Sequence, residues 1–223
     1  MRILALETST EYCSVALWQA GNVVSHCEMV GQRHSELLIG ILDNLLHEAG
    51  VRLKELDGIA FGAGPGSFTG VRIACGVTQG LALGANLPVV GVCTLQALAQ
   101  AAGHEKMITA LDARMGEIYH AVYEKRAGSW ETICEPNLCL PHHAPQVQGS
   151  GWFGTGSGFA MHGAVLDNCY AGQIVGRDTQ AVPQAAAIAE FAAQLFAAGQ
   201  GMDAAQAMPI YLRDKVALKT SER

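Results

Sequence analysis

The sequence predicts an α/β protein built from two halves. Short apolar strand patterns alternate with longer amphipathic helix patterns along the chain. Half of the 223 residues are hydrophobic and 15% are charged, which supplies enough apolar side chains for a large core. A change of pattern near Gly103 separates a first half, residues 1–103, from a second and less complete half, residues 104–223.

The first half opens with three predicted strands, over residues 2–6, 13–19 and 23–28, and the turn at 20–22 makes the last two a hairpin. A helix is predicted over 34–49, because Gly50 is a typical C-terminal cap. The remaining predicted elements of this half are a strand over 57–61, a helix over 71–84, a strand over 87–92 and a helix over 94–102.

The second half begins with two predicted strands, over 107–111 and 118–123, which are joined across the turn at 114–116. A stretch rich in proline and histidine over 136–148 is predicted to be irregular, and a short strand follows over 151–154. The alanine-rich segment 184–198 predicts a helix, because Pro183 stands where a helix start tolerates proline.

A glycine-dense segment, residues 62–70, lies between a predicted strand and a predicted helix. Such a turn can direct backbone N–H groups toward an anion, and Ser67 or Thr69 could cap the helix. A Walker loop is excluded because no lysine lies between residues 54 and 106. Ser67 has Pro65 and Thr69 where a nucleophile elbow needs glycine, which disfavours a serine hydrolase. These observations leave the ligand of the segment open.

Charge and cysteine content narrow the classes of function. A formal net charge of −6 argues against a dedicated nucleic-acid binder. We expect a cytoplasmic protein, because the sequence has neither a signal-peptide pattern nor an apolar run of membrane-spanning length. The seven cysteines form no Cys-x-x-Cys pair and fit reduced thiols. One group of residues could form either a metal cluster or a loop with incidental thiols: Cys134, Cys139, His142 and His143. Their spacing matches no common zinc pattern and favours the loop.

Four words occur in a fixed order along the chain. They are ILALETST at 3–10, GPGSFTGVR at 64–72, LDARMGEIY at 111–119 and PIYLR at 209–213. Together they resemble the bacterial TsaB (YeaZ) family over nearly the whole length. The resemblance implies an actin/hexokinase/Hsp70-like (ASKHA) fold, in which two related subdomains each hold a mixed sheet flanked by helices. It also implies a part in making N6-threonylcarbamoyladenosine on tRNAs that read codons beginning with A.

The resemblance implies an accessory role rather than catalysis by this chain alone. TsaD, the catalytic paralogue in that system, carries a metal-binding His-x-x-x-His word where this chain has His34 followed by Leu38. The second histidine of the pair is therefore missing, and this chain lacks two imidazoles one helical turn apart on one face. No catalytic residue and no metal are predicted. The implied partners are a TsaD-like catalytic subunit, a TsaE-like ATPase and, in isolation, a second copy of the chain. Contact with tRNA is expected only through these partners, and no membrane partner is expected.

Two helices of the first half have faces suited to a partner. The apolar arc of the helix at 34–49 is wider than one sheet contact requires, and the helix at 71–84 carries glycines at four-residue spacing. Each interior glycine costs about 1 kcal/mol relative to alanine, which suggests a packing reason. Periodicity favours packing on the chain's own sheet and packing on a partner equally, and the resemblance favours a partner. The candidate partner-binding residues are Leu37, Leu38, Ile41, Leu45, Arg72, Gly76, Gly80 and Gly84.

A second set of candidates belongs to a vestigial nucleotide site. Active members of the implied fold hold a nucleotide phosphate near acidic and hydroxyl groups at the end of the first strand. Asp112 could serve as a metal or base carboxylate in an ATP-using phosphotransferase or ATPase, the alternative function. A turn-capping role for Asp112, with Arg114 paired to a carboxylate, is favoured. No bound cofactor is implied, and weak binding of ATP or ADP stays open. The candidates are Glu7, Thr8, Ser9, Thr10, Asp112, Gly154 and Gly156.

Overall fold

The computed structural model describes residues 1–213, and within them the chain forms two five-stranded mixed sheets. This arrangement confirms the predicted α/β class. The first sheet has the order β3-β2-β1-β4-β5, with antiparallel pairing in its first three strands and parallel pairing beyond β1. Its strands are β1 Arg2–Glu7, β2 Tyr12–Gln19, β3 Asn22–Met29, β4 Gly58–Gly64 and β5 Val89–Cys93.

The second sheet has the order β10-β9-β6-β7-β8 and also mixes parallel and antiparallel pairs. Its strands are β6 Lys106–Asp112, β7 Ile118–Arg126, β8 Ser129–Cys139, β9 Trp152–Thr155 and β10 Ile174–Asp178. The α-helices are α1 His34–Glu48, α2 Phe68–Ala85, α3 Thr94–Ala102, α4 Ser157–Cys169 and α5 Ala185–Ala197. Short 3₁₀ turns cover Leu53–Glu55, Pro141–His143 and Ala204–Gln206.

Strand alternation distributes the first core over two layers. On β1, Leu4 and Leu6 face α1 and α2, whereas Ile3 and Ala5 face α5. Helix α5 comes late in the chain, yet Ile188 in its first turn is fully buried against the first sheet. The division of the chain at residue 103 stays a prediction, because a helix from the later segment covers the earlier sheet.

Most predicted elements of the first half are confirmed within one to three residues. The second half departs further from expectation. The irregular stretch over 136–148 is wrong at its start, because β8 continues to Cys139. Strand β8, helix α4 and strand β10 were not predicted. Helix α4 contains Gly163 and a kink at His162, so its apolar residues follow no steady helical period.

None of the helices within residues 1–213 combines the length and the apolar character needed to cross a bilayer.

Candidate functional site

The signature loop, residues 64–70, is hydrogen-bonded to the residues that directly follow β1. The Thr8 hydroxyl donates to the Gly70 carbonyl at 2.7 Å, and the Ser67 amide donates to the Ser9 carbonyl at 2.8 Å. A Cβ at Gly66 would lie 2.6 Å from the Cβ of Ser9, and one at Gly70 would overlap the Thr8 carbonyl. The loop is therefore rich in glycine because another backbone segment passes directly beneath it.

Ser67 caps α2, as predicted, by accepting from the Gly70 amide at 3.3 Å. The amides of Ser67 and Gly70 are thus both engaged within the chain. A further hydrogen bond holds the rest of the loop, because the Thr94 hydroxyl donates to the Pro65 carbonyl. The peptide bond that precedes Pro65 is cis. Two amides that an anion would need are already occupied, which weakens the case for a phosphate here.

Glu7 is buried beside the signature loop. One carboxyl oxygen accepts from the Ser9 amide at 2.5 Å, while the other has no hydrogen-bond partner and lies against Gly62. Burial raises the pKa of Glu7 to about 7, although the hydrogen bonds from Ser9 act in the opposite direction. A carboxyl group in this position holds its proton well above the pH at which an exposed glutamate loses it, up to about pH 7.

A cleft of about 790 Å³ separates the two halves. It brings together three of the nucleotide-site candidates, namely Ser9, Thr10 and Asp112, which line opposite walls. The other four candidates do not line the cleft. Glu7 and Thr8 are buried and do not reach the cleft surface, and Gly154 and Gly156 lie outside the cleft lining.

Those two glycines allow α4 to sit close to the second sheet. A Cβ at Gly154 would lie 2.6 Å from the ring of Phe159, and a Cβ at Gly156 would lie 2.5 Å from the Ala110 carbonyl. Gly156 also has φ of 102°, a conformation that favours glycine. Close packing accounts for both positions, and any contact with a nucleotide stays a prediction.

Asp112 caps the turn between β6 and β7, the role that the sequence favoured. Its carboxylate accepts from the Arg114 amide at 3.1 Å and pairs with the Arg114 guanidinium at 3.2 Å. Arg114 also reaches Glu11 of the first half at 3.4 Å. Arg114 and Met115 both adopt positive φ in this turn, and the Asp112 carboxylate caps it. The Arg114 guanidinium also holds the Asp112 carboxylate in place.

The segment at 207–213 crosses the cleft, a feature that the sequence did not reveal. Its Ala207 carbonyl accepts from the Gln79 side chain at 3.1 Å, which ties it to the first half. At its other end, Arg213 pairs with Glu117 at 2.8 Å and donates to the Ala113 carbonyl at 3.0 Å. The segment therefore joins the two halves. The PIYLR word at 209–213 was the signal in the sequence that could have pointed to it.

The candidate partner-binding residues of α1 and α2 differ in how far they are exposed to solvent. Leu38 and Leu45 are buried in the core of this chain, so α1 does not offer them to another protein. Leu37 and Ile41 are half-buried. The glycines of α2 are exposed, and a Cβ added to any of them would meet no atom within 4 Å: Gly76, Gly80 and Gly84.

We call these three glycines, with the 63% exposed Leu83, the glycine face of α2. The interpretation that they pack on the chain's own sheet is wrong for the described residues. Whether a partner covers the face stays a prediction.

Arg72 lies on the same helix, two turns before Gly80. Its guanidinium stacks over the Phe68 ring at 3.2 Å from the ring centroid and lies 4.8 Å from that of Tyr211. It also donates to the Phe68 carbonyl at 3.1 Å. Among residues 1–213, no acidic side chain comes within 4 Å of this guanidinium.

Comparisons with known proteins agree with this architecture. The family model described as "TsaD: tRNA N6-adenosine threonylcarbamoyltransferase" matches residues 25–219. The protein named tRNA threonylcarbamoyladenosine biosynthesis protein TsaB from Escherichia coli (strain K12) is 40% identical over 98% of this chain and 97% of its own length. Its namesake from Haemophilus influenzae (strain ATCC 51907 / DSM 11121 / KW20 / Rd) is 37% identical over 98% and 96% of the two chains.

A solved structure titled "YeaZ from Pseudomonas aeruginosa" superposes with a TM-score of 0.89. It is 39% identical and covers 95% of this chain and 99% of its own. Two mixed sheets flanked by helices, matched so closely by this structure, confirm the expected ASKHA-like fold. The chain therefore belongs to the TsaB (YeaZ) family.

Proposed function

We propose that this chain is a non-catalytic scaffold or activator in the synthesis of tRNA N6-threonylcarbamoyladenosine. In this proposal it binds a TsaD-like catalytic subunit, and a TsaE-like ATPase joins the assembly. The names of its TsaB relatives support the pathway. The single observation that supports the docking role most strongly is the solvent-facing glycine face of α2.

An exposed glycine row in a helix is costly unless something uses it. Each interior glycine lowers helix stability by about 1 kcal/mol relative to alanine, and Gly76 and Gly80 recover nothing through packing in this chain. A surface without side chains lets a second helix approach closely. Arg72 is the one charged side chain on α2, so the face is also compatible with apolar burial.

The first-half helix that would carry a metal in TsaD has a structural role here. His34 is buried, and its Nε2 lies 3.0 Å from the Tyr12 carbonyl. Leu38, one turn later, is 1% exposed in the core. Both positions are used for packing, which supports an accessory role.

The test is binding of the TsaD-like subunit from the same organism to the purified chain. Gly80→Leu adds bulk to the glycine face without touching the core, so we expect loss of the heterodimer with a melting temperature that is not lowered. Ala164→Leu, on the exposed side of α4, is the matched control and should bind normally. Normal assembly of Gly80→Leu would contradict the proposal.

The same face is our proposed contact for a second copy of the chain in isolation. Light scattering of the purified chain alone should then give a dimer that Gly80→Leu converts to a monomer. A dimer unaffected by this substitution would place the self-contact elsewhere.

A second candidate function is ATP turnover in the cleft. It is favoured by the meeting of Ser9, Thr10 and Asp112 on facing walls. Turnover by the purified chain that disappears in Asp112→Asn would support it. We expect no turnover, because the Asp112 carboxylate already pairs with Arg114.

A further inference from the structure

We propose that Arg72 is a preorganised anchor for a carboxylate of the protein that docks on the glycine face. The inference rests on the proposed function and adds the chemistry of the contact. It assigns to the partner an Asp or Glu side chain that sits beside the N-terminal end of α2 when the complex forms.

Arg72 differs from most other arginines of residues 1–213 in how its charge is used. Its guanidinium is held by the Phe68 ring and carbonyl and by the Tyr211 ring, without a carboxylate among residues 1–213. By contrast, five other arginines each lie within 4 Å of an acidic side chain: Arg52, Arg114, Arg126, Arg177 and Arg213. Arg72 is thus oriented, and no carboxylate of residues 1–213 pairs with it.

The surroundings of Arg72 favour an anion. It lies in the second turn of α2, close to the positive end of the helix dipole, so its own charge is not compensated there. A carboxylate placed against the guanidinium would be attracted by both. The planar guanidinium can bind it through two parallel hydrogen bonds, and the ring contacts fix its plane before binding.

The position of Arg72 connects this anchor to the glycine face. Residues 72, 76 and 80 follow one another at four-residue spacing and so lie along one side of the helix. At the same end, Phe68 is 45% and Tyr211 is 46% exposed. Arginine and tyrosine are the residues that most often dominate binding energy at protein interfaces. A partner helix on the glycine face would meet this cluster at its end.

An RNA phosphate is the other anion to consider. Nucleic-acid surfaces need several lysines or arginines together, whereas α2 carries one cation and the chain has a net charge of −6. A protein carboxylate therefore fits this site better than tRNA.

The test compares the affinity of the TsaD-like subunit for four forms of the chain by calorimetry. Arg72→Ala should weaken binding about 10- to 100-fold. Arg72→Lys keeps the charge but loses the planar contacts, so we expect an intermediate loss. Arg126→Ala, far from α2 on β7, should bind like the wild type. Arg72→Glu should be rescued by an Asp→Arg or Glu→Arg change in the partner, found by scanning its acidic surface residues.

The outcomes separate this inference from the proposed function. Loss of binding in Gly80→Leu with wild-type affinity in Arg72→Ala would overturn the anchor and leave the docking face intact. Unchanged binding in Gly80→Leu, or no binding by the wild type, would overturn both. If Arg72→Ala weakened tRNA binding to the assembled complex and left the affinity between the proteins unchanged, the ligand would be a phosphate and the inference would be wrong.

Discussion

The backbone carbonyl of Thr8 lies directly against Gly70, in the space where a side chain at residue 70 would begin. The end of β1 and the start of α2 are therefore in backbone contact. The hydrogen bond from the Thr8 hydroxyl to the Gly70 carbonyl, at 2.7 Å, closes the same contact. The glycine at this position fixes how α2 leaves the first sheet, and with it the direction of the glycine face.

Gly70→Ala should destabilise the fold strongly. The new Cβ would overlap the carbonyl of Thr8, a fully buried residue that directly follows the central strand β1 and has little room to move aside. We expect a loss of about 3 kcal/mol or more in the free energy of unfolding, measured by urea denaturation. A loss below about 1 kcal/mol would mean that the contact is looser than the structure has it.

Gly80→Ala should have the opposite sign. A Cβ at Gly80 meets no atom within 4 Å, and alanine is the better helix former. The expected gain is about 0.5–1 kcal/mol, read from the same denaturation experiment. Because the two substitutions add the same methyl group to α2, they serve as controls for each other. A destabilising Gly80→Ala would indicate that the face is covered within the chain.

Stability should depend on the protonation of Glu7. Burial raises its pKa to about 7, while the ordinary value of 4.5 applies when the chain is unfolded. Between these values the folded state retains a proton that the unfolded state has lost, so the contribution of Glu7 to stability falls as the pH rises from about 4.5 to 7. The fall is on the order of 3 kcal/mol.

Glu7→Gln keeps the shape of the side chain and cannot ionise. The difference in unfolding free energy between this variant and the wild type should therefore grow in favour of the variant from pH 5 to pH 8. Glu48→Gln, at an exposed position of α1, should give a flat difference. A flat difference for Glu7→Gln as well would show that Glu7 is solvated or paired.

Arg213→Ala should loosen the link between the two halves. The guanidinium is largely buried, pairs with Glu117 and donates to the Ala113 carbonyl, so its loss leaves polar groups unpaired. We expect a loss of about 1–3 kcal/mol and faster hydrogen exchange of the amides at 113–117. Arg114→Ala removes a far more exposed guanidinium with its ion pairs to Glu11 and Asp112, and should cost less than about 1 kcal/mol. Equal effects of the two substitutions would contradict this assignment.

The sequence predicted the first half more accurately than the second. Strands β1 to β3 and helices α1 and α3 carry regular apolar periods and clear turn residues, so their bounds follow from local rules. Helix α4 was missed because it begins at a glycine-rich word that reads as a turn and is kinked at His162. Its place depends on packing against β6, which no local pattern encodes.

The candidate site was predicted in outline only. The glycines of the signature loop suggested an anion site, but their spacing cannot reveal that Thr8 and Ser9 pass beneath them. The four-residue spacing of Gly76 and Gly80 indicated a close-packing ridge, and only the structure could tell that it faces outward. Arg72 and Tyr211 lie far apart in the sequence, so no local pattern around either residue could predict their contact.

The most direct test of the central claim is threonylcarbamoyl transfer to tRNA in a system of this chain with the TsaD-like and TsaE-like proteins of its organism, each omitted in turn. We predict that activity needs this chain, survives Asp112→Asn and disappears with Gly80→Leu together with the heterodimer. Full activity without the chain, or with Gly80→Leu in place of the wild type, would contradict the account. Activity that disappears with Asp112→Asn in an intact complex would instead make the cleft catalytic.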